Sequence, residues 1–156
     1  MECSVIVHAL LPTADAKESF DRLADFAAYP EFTDTVRTVG VTRISPNQVE
    51  SKWEVNFRKG ILIWTERDTI DPVNRRIGFE QTKGDFATFT GSWLVVEAGE
   101  SVRVEFDSRF DLGIASLASL IDPVACAAMR DSVRDILVGL FGADIEVTVV
   151  QAEPLG

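Results

Sequence analysis

Apolar and polar residues alternate with a period of two between Thr35 and Leu112, a pattern typical of half-buried β-strands. Short segments rich in Gly, Pro, Asn and Asp interrupt the alternation and indicate turns, so this region predicts six strands. Because connections this short cannot hold a parallel crossover, we expect antiparallel hairpins in a meander. The predicted turns are Ser45-Pro46-Asn47, Arg58-Lys59-Gly60, Asp71-Pro72-Val73-Asn74, Lys83-Gly84-Asp85 and Ala98-Gly99-Glu100.

The segment before the meander predicts one strand and two short helices. Residues 3–10 alternate and predict an opening strand. A helical pattern then continues through Ala27, with Thr13 or Asp15 available as its N-cap. Pro30 interrupts this pattern, which predicts a break followed by a second short helical turn.

The segment after the meander predicts one long helix. Asp122 and Pro123 fit an N-cap and a first helical position, and the helical spacing continues to Gly142. Residues 144–150 alternate again, which fits either a last strand or an arm onto another protomer.

Together these elements predict an α+β fold. A curved antiparallel sheet of about seven strands wraps round the long C-terminal helix, and two short helices follow the first strand. No repeat or long linker divides the chain, so we expect a single domain over 1–143, followed by a C-terminal strand or tail over 144–156.

Four strands show directly which residues face the long helix, since an antiparallel sheet of this kind buries one face. In each strand one phase is mainly apolar, and the opposite phase is the more polar one. The predicted inward residues are Val49, Ser51, Trp53, Val55 and Phe57; Ile77, Phe79 and Gln81; Phe89, Gly91, Trp93 and Val95; and Val102, Val104, Phe106, Ser108, Phe110 and Leu112.

The strand over 60–70 is ambiguous, because both of its phases begin with apolar residues. One phase contains Thr65 and Arg67, and the other ends in Glu66 and Asp68. Periodicity alone leaves open whether Arg67 faces inward or lies at the solvent-exposed end of the strand, paired to an acid. Burying two carboxylates costs more than burying one arginine among hydroxyls, which favours Arg67 inward.

The long helix has several small residues on the face expected to meet the sheet. Protein interiors pack densely, so a helix that only filled the concavity would have larger side chains. Small residues opposite large aromatic side chains therefore predict a cavity, with tight helix–sheet packing as the alternative. The helix face consists of Ala125, Ala128, Met129, Ser132, Ile136, Gly139 and Leu140, and the aromatic residues are Trp53, Phe89, Trp93 and Phe106.

Composition and charge narrow the function classes. The chain has 156 residues and a formal net charge of −10, which repels phosphate backbones and anionic lipid surfaces and argues against nucleic-acid binding. No apolar run approaches the roughly 20 residues that span a bilayer. Cys3 and Cys126 lack metal-site spacing, and no basic segment precedes the first apolar stretch, so we infer a reducing cytoplasm and no export.

Several catalytic chemistries lack their residues. His8 is the only histidine and lies in the opening strand, where a strand-face role is the simpler interpretation than that of a catalytic base. A zinc site would need three or four ligands, and no phosphate-binding glycine motif is present. Any catalysis would therefore depend on Arg, Asp, Glu, Ser, Thr or bound water, without metal or cofactor.

The order of elements and four short motifs resemble the START-like, helix-grip (SRPBCC) superfamily, in particular its polyketide cyclase/dehydrase branch and the related coenzyme-Q-binding proteins. The resemblance covers roughly Ser4 to Phe141. It implies a deep cavity for a hydrophobic or polyketide ligand between the sheet and the helix. The motifs are Tyr29-Pro30-Glu31-Phe32, Trp64-Thr65-Glu66-Arg67, Gly84 to Trp93 and Phe110-Asp111-Leu112.

The resemblance also implies site residues. Arg67 aligns with an arginine that points into the pocket of aromatase/cyclases, which makes it the candidate catalytic residue. Thr65 falls where the family has a serine, and Ser132 lies near a polar helix position that lines the pocket. Val36 and Ile63 stand near positions where such cyclases have aromatic residues. The candidate substrate-binding residues are Phe32, Val36, Ser51, Trp53, Ile63, Thr65, Gln81, Phe89, Trp93, Phe106, Ser108, Met129 and Ser132.

Two functions follow from this likeness. The first is a cofactor-independent aromatase/cyclase that closes and dehydrates a carrier-protein-bound poly-β-ketone, as in antibiotic biosynthesis. Arg67 would stabilise the developing oxyanion, and Thr65, Gln81, Ser108 or Ser132 would hold carbonyls or waters. The alternative is non-catalytic binding of an isoprenoid quinone or lipid, and a regulatory member of the superfamily has the weakest support.

The expected partners are a hydrophobic small molecule, an acyl carrier protein and, as a homodimer, a second copy of the chain. Carrier proteins are acidic, so docking one onto a chain of this charge needs a local basic patch. Arg58-Lys59 and Arg75-Arg76, both at predicted turns, could supply it, or they could be ordinary solvated turn charges.

Overall fold

The computed structural model describes residues 2–58, 60–113 and 122–155. Within them, eight antiparallel strands form one sheet against the long helix. The strands are β1 (Glu2–Leu11), β2 (Val36–Ser45), β3 (Gln48–Phe57), β4 (Gly60–Asp71), β5 (Arg76–Gly84), β6 (Thr88–Ala98), β7 (Ser101–Asp111) and β8 (Glu146–Leu155), and the α-helices are α1 (Ala16–Ala24), α2 (Tyr29–Phe32) and α3 (Asp122–Phe141).

The sheet confirms the predicted meander. Its order is β2-β3-β4-β5-β6-β7-β1-β8, so the strands from β2 to β7 lie side by side in sequence order, and β1 pairs with β7. The last strand, β8, pairs along β1 of the same chain. The segment 144–150 therefore supplies an eighth strand to this sheet, and its interpretation as an arm onto another protomer is not needed.

The two short helices form where the sequence predicts them. The Asp15 side chain accepts a hydrogen bond of 2.9 Å from the backbone N–H of Glu18, which satisfies an otherwise unpaired donor of the first turn. Helix α1 ends at Ala24, earlier than the predicted Ala27, and a 3₁₀ turn over Phe26–Ala28 leads into α2. Pro30 lies in the first turn of α2, where a missing backbone N–H costs nothing.

Helix α3 packs on β1 and β8 and also contacts α2. At Gly139 a Cβ atom would lie 2.5 Å from the backbone oxygen of Phe32, so any side chain there would push the two helices apart. Gly139, one of the small residues on α3, is therefore explained by close packing against α2. The alternative considered above was tight packing of the helix against the sheet; here the close contact is between two helices.

A disulfide joins Cys3 of β1 to Cys126 of α3, with Cα atoms 5.6 Å apart. Both residues are buried. Disulfides persist mainly in oxidising environments, so this bond argues against a reducing compartment, and the cytoplasmic location stays a prediction. Neither cysteine is available as a metal ligand or nucleophile while the bond is intact.

The inward phases expected for β3, β5, β6 and β7 are confirmed by burial. In β4 the preferred phase is wrong. Trp64, Glu66 and Asp68 are buried and Arg67 is exposed. In register, Arg67 lies opposite Glu50 of β3 and Glu80 of β5. The arginine therefore stands between two acids on the outer face of the sheet, where opposite charges on adjacent strands attract.

Candidate acid-containing cavity

A cavity of about 60 Å³ lies between α3 and the inner face of the sheet. Its wall is mainly aromatic and aliphatic, with Ser132 and Glu66 as polar members. Of the residues expected to bind a ligand, six line it: Trp53, Phe89, Trp93, Phe106, Met129 and Ser132. The cavity predicted from the small residues of α3 is thus present, at the place where aromatic residues of the sheet face the middle of the helix.

The aromatic side chains of the wall hold one another in fixed orientations. Trp53 and Trp64, directly opposite in the β3–β4 pair, stack with ring centroids 6.0 Å apart and 5° between their planes. Phe89 meets Trp64 edge to face at 5.6 Å. Trp93 and Phe106 have centroids 4.6 Å apart. Such contacts add to the stability gained by burial, and they make this wall rigid and flat-surfaced.

Two carboxyl groups of β4 are buried at one side of this wall. Glu66 has 5% and Asp68 0% of its surface exposed, and Glu66 lines the cavity. The indole N–H of Trp64 donates to Oε1 of Glu66 at 2.7 Å. The Ser51 hydroxyl donates to Oδ2 of Asp68, and the Trp53 indole donates to Ser51 Oγ at 2.8 Å. The tryptophans of the wall thus also serve as hydrogen-bond donors to the acid pair.

Burial decides the ionisation of this pair. Desolvation raises the pKa of Glu66 well above its ordinary value, and a hydrogen bond and the negative charge of Asp68 raise it further, against the indole of Trp64, which lowers it. Burial also raises the pKa of Asp68, while hydrogen bonds from Glu66 and Ser51 oppose the shift. Two buried carboxyls in contact cannot both ionise at low cost. Glu66 therefore holds a proton under conditions where an exposed glutamate is ionised.

Tyr29 of α2 is a third titratable group at the cavity. Its pKa is raised well above the usual range, first by burial and then by the charges of Glu66 and Asp68. The phenol stays neutral, and its hydroxyl donates to the backbone oxygen of Leu23 at 2.6 Å. Tyr29 therefore fixes α2 to α1 and presents its ring, rather than a charge, to the cavity.

Arg67 is the candidate catalytic residue that the structure does not bring to the cavity. Its side chain leaves the outer face of β4, whereas the cavity lies against the inner face. The inward orientation expected for Arg67 is thus wrong, and its assignment as the catalytic residue loses the geometry on which it depended. Thr65, in the same phase, is buried but lies opposite Lys52 on the outer side of the β3–β4 pair.

Four other candidate residues are absent from the wall formed by the described residues. Ser51 belongs to the hydrogen-bond network behind it. Val36 is buried opposite Val55. Gln81 binds both backbone groups of Phe86, donating to its oxygen at 2.9 Å and accepting from its N–H at 3.2 Å. Ser108 is fully buried, and its hydroxyl has no partner among the described groups.

Two further candidates are exposed and lie outside the wall. Phe32 is 40% exposed, and the guanidinium of Arg22 lies 5.4 Å from its ring centroid. Ile63 is also 40% exposed, because it shares the outer phase of β4 with Arg67.

Sequence reasoning missed Trp64 and Glu66, which were placed on the outer face, and it also did not assign Phe26, Tyr29 and Phe79 to the site. A usable signal was present for β4. Strand β3 closes onto β4 with Phe57 opposite Gly60, so Trp53 falls opposite Trp64 and Ser51 opposite Glu66. Directly opposed residues share a face, and the inward phase of β3 was already clear.

The described residues contain no group of three or more His, Cys, Asp and Glu side chains arranged to hold a metal ion. Among the helices of the same residues, none is long and apolar enough to cross a membrane.

Comparison with known proteins gives a family and a fold. The family described as polyketide cyclase / dehydrase and lipid transport matches residues 13–137. No curated protein matches the chain in sequence.

Solved structures similar to this chain share its fold. A protein from Thermus thermophilus is 22% identical, with a TM-score of 0.81 over 88% of this chain and 93% of that one. The ZhuI aromatase/cyclase from Streptomyces sp. R1128 is 19% identical, with a TM-score of 0.68 over 90% of this chain and 84% of its own. A START superfamily protein from Mycobacterium smegmatis is 15% identical, with a TM-score of 0.72 over 89% and 97%. At these identities the likeness establishes the helix-grip fold and leaves chemistry to the site itself.

Proposed function

The chain belongs to the polyketide cyclase / dehydrase and lipid transport family, and we propose that it binds a poly-β-ketone in the cavity beneath α3 and promotes aldol closure and dehydration there. The observation that carries the proposal is the wall itself: flat aromatic surfaces surround a single carboxylic acid among the described lining residues, Glu66. ZhuI, which shares the fold, is an aromatase/cyclase.

The wall suits the requirements of this reaction. A flexible polyketone must fold so that one methylene meets one distant ketone, and holding reactants in such a geometry can contribute roughly 7–11 kcal/mol of barrier lowering. The stacked Trp53 and Trp64 rings and the edge of Phe89 offer flat faces on which a forming ring can lie. Glu66 supplies a proton donor at the same surface, so folding and proton transfer occur at one place.

The size of the cavity sets a condition on binding. About 60 Å³ holds a few water molecules, since one water needs roughly 10–15 Å³ on this measure. A polyketone must therefore displace side chains of the wall. Met129 is the most adaptable of them, because an unbranched thioether side chain changes rotamer easily. We accordingly expect ligand binding to widen the space between α3 and the sheet.

The proposal includes delivery of the substrate by an acyl carrier protein. Of the two basic turns considered, the one containing Arg58 joins Phe57 to the start of β4, and both Phe57 and Leu62 line the cavity. Lys59, its expected companion, lies outside the described residues. Arg58 is exposed and could contact an acidic carrier protein close to the cavity wall.

The experiment that tests the function is product analysis. A minimal polyketide synthase is incubated with and without the purified protein, and the products are separated and identified by mass spectrometry. We expect a new cyclised and dehydrated product. Ser132→Leu, which fills space in the wall, should abolish it, whereas Arg134→Leu on the exposed side of the same helix should not. Thermal unfolding of both variants checks that each is folded.

Two results would contradict the proposal. An unchanged set of products would contradict the proposed catalytic function. If native mass spectrometry of the same protein also showed a co-purified quinone or lipid, non-catalytic binding of a hydrophobic ligand would replace it.

A further inference from the structure

We propose that Glu66 is the catalytic acid–base residue of the cavity and that Asp68 is the positioning residue that keeps a proton on it. The reaction assigned to Glu66 depends on the proposed function, whereas the choice of Glu66 and Asp68 depends on the structure of β4. Glu66 touches the cavity, and Asp68 is completely buried and does not contribute to the wall formed by the described residues.

The hydrogen bonds around the pair assign different roles to the two carboxyls. Asp68 accepts from Ser51, whose own oxygen is held by the Trp53 indole. The remaining oxygen, Oδ1 of Asp68, has no donor among the described groups, although buried polar atoms are normally paired. A proton on Glu66 supplies that donor. The chain Trp53, Ser51, Asp68 therefore stabilises the ionised form of Asp68 and the neutral form of Glu66.

The polar and titratable groups around Glu66 and Asp68 are consistent with a neutral Glu66 and an ionised Asp68. Among the described residues, β3 contributes Ser51 and Trp53. The neighbouring strand β5 places Gln81 and Phe79 opposite Glu66 and Asp68. The titratable group facing the pair from the helical side is Tyr29 of α2, which stays neutral. No Lys, Arg or His is among the described residues that line the cavity, so a shared proton is what balances the pair.

A neutral acid beside a carboxylate can serve both halves of the reaction. In the aldol step, Glu66 gives its proton to the ketone oxygen, and the Glu66 carboxylate that this leaves takes a proton from the attacking methylene, whose C–H electron pair forms the new C–C bond. In dehydration, Glu66 protonates the departing hydroxyl, the C–O bond breaks, and the electrons of the α C–H bond form the C=C bond. The α proton passes to the carboxylate that remains. The pair again ends with one proton, and one water has left.

Infrared spectroscopy tests the proton without any reaction. The purified wild-type protein should show the C=O stretch of a protonated carboxylic acid at neutral pH, and Glu66→Gln should lack it. Asp68→Asn removes the neighbouring charge, so the pH at which the band disappears should move downward. Glu80→Gln, a carboxyl on the outer side of the sheet opposite Arg67, is the matched control and should leave the band unchanged.

Product formation tests the catalytic role. Glu66→Gln should lower the rate by roughly 100- to 10,000-fold, the usual contribution of a positioned proton donor, while a non-reactive aromatic ligand binds as before. Asp68→Asn should lower the rate less and move its pH profile in the same direction as the infrared band, a shift that a merely structural role would not produce. Glu80→Gln should match the wild type.

Each failure has a separate meaning. If no band at neutral pH depends on Glu66, the proton is not on this residue and the inference fails, whether or not product forms. If the band is present and Glu66→Gln retains full activity, the pair is structural and the catalytic role fails, while the proposed function stands. If the wild type shows the band and forms no product, the proposed function and the catalytic role fail together.

Discussion

Glu66 and Arg67 are neighbours in β4 and face opposite sides of the sheet, with opposite consequences. Glu66 is buried, hydrogen-bonded to Trp64 and in contact with the cavity. Arg67 is exposed between Glu50 and Glu80. Burying two acids is tolerated here because indole and hydroxyl groups donate to them and because burial raises the pKa of Glu66, which favours its neutral form.

Arg67→Gln tests the outward placement directly. Because exposed ion pairs contribute about 0–1 kcal/mol, we expect the free energy of unfolding to fall by less than about 1 kcal/mol and product formation to be unchanged. Urea unfolding and the product assay measure the two quantities. A complete loss of product in a folded Arg67→Gln protein would show that this side chain reaches the substrate.

The pH dependence of stability provides a second test at the same residues. Folding raises the pKa of both Glu66 and Asp68, so the folded protein keeps a proton that the unfolded chain releases. Their contribution is complete below the ordinary carboxyl pKa range and is lost as the pH rises through the raised values. The slope is at most about 1.4 kcal/mol per pH unit for one proton.

We therefore expect the wild type to lose stability with rising pH in this window more steeply than Glu66→Gln. Urea unfolding at a series of pH values measures the difference, with Glu80→Gln as the control that keeps the wild-type slope. Equal slopes in the wild type and Glu66→Gln would mean that Glu66 ionises alike in the folded and unfolded states.

Secondary-structure elements fix the boundaries of the cavity at defined places. Helix α3 supplies Met129 and Ser132 to the wall, while Gly139 brings the later part of the helix against α2. Near the beginning of the helix, Cys126 is bonded to Cys3 of β1. The helix is thus attached to other elements on both sides of the cavity, and Met129 and Ser132 lie between these attachments.

Removing the disulfide should weaken the attachment of α3 to β1. The bond joins residues 123 positions apart, and the loss of a native disulfide typically costs about 2–5 kcal/mol. We expect a lower Tm in a reducing agent and in Cys3→Ala, whose Tm should not respond to the reducing agent. Titration of denatured, unreduced protein checks the bond itself, since two free thiols would contradict it.

At the scale of the whole molecule, a meander places alternate turns at opposite ends of the sheet. The turn with Arg58 precedes β4, and the turn with Arg75 follows it, with Arg76 as the first residue of β5. The 12 residues of β4 separate them by roughly 40 Å at about 3.3 Å per residue. The two basic segments therefore cannot form one patch. Arg75 also lies 3.7 Å from Glu97, so the proposed docking of a carrier protein falls to the Arg58 end of the sheet.

Charge reversal at the two ends distinguishes docking from general electrostatics. With a carrier-protein-bound substrate, Arg58→Glu should raise KM several-fold, because opposite charges contribute to association and like charges oppose it. Arg76→Glu changes the net charge equally at the far end and should leave KM near the wild-type value. Steady-state kinetics measure both, and equal effects of the two variants would show that only net charge matters.

The sequence by itself determined the local features. Turn residues and period-two alternation located β2 to β7. In β3, β5, β6 and β7 one phase is mainly apolar, which identified the residues that face the core. The spacing of small residues along the long helix indicated the cavity. These features depend on residues close together in the sequence. Six residues expected to bind a ligand therefore do line the cavity: Trp53, Phe89, Trp93, Phe106, Met129 and Ser132.

Only the tertiary structure decided the rest. Two mixed phases in β4 are resolved by the partners that each phase meets, with Trp53 opposite Trp64 and the outer acids opposite Arg67. The pairing of β8 with β1 and the Cys3–Cys126 bond join residues from the two ends of the chain. Contacts at such separations leave no periodic trace in the sequence, because they depend on how the whole sheet curves around α3. Glu66 was missed for a different reason: its face follows from the register of the β3–β4 hairpin, which the alternation within β4 alone does not contain.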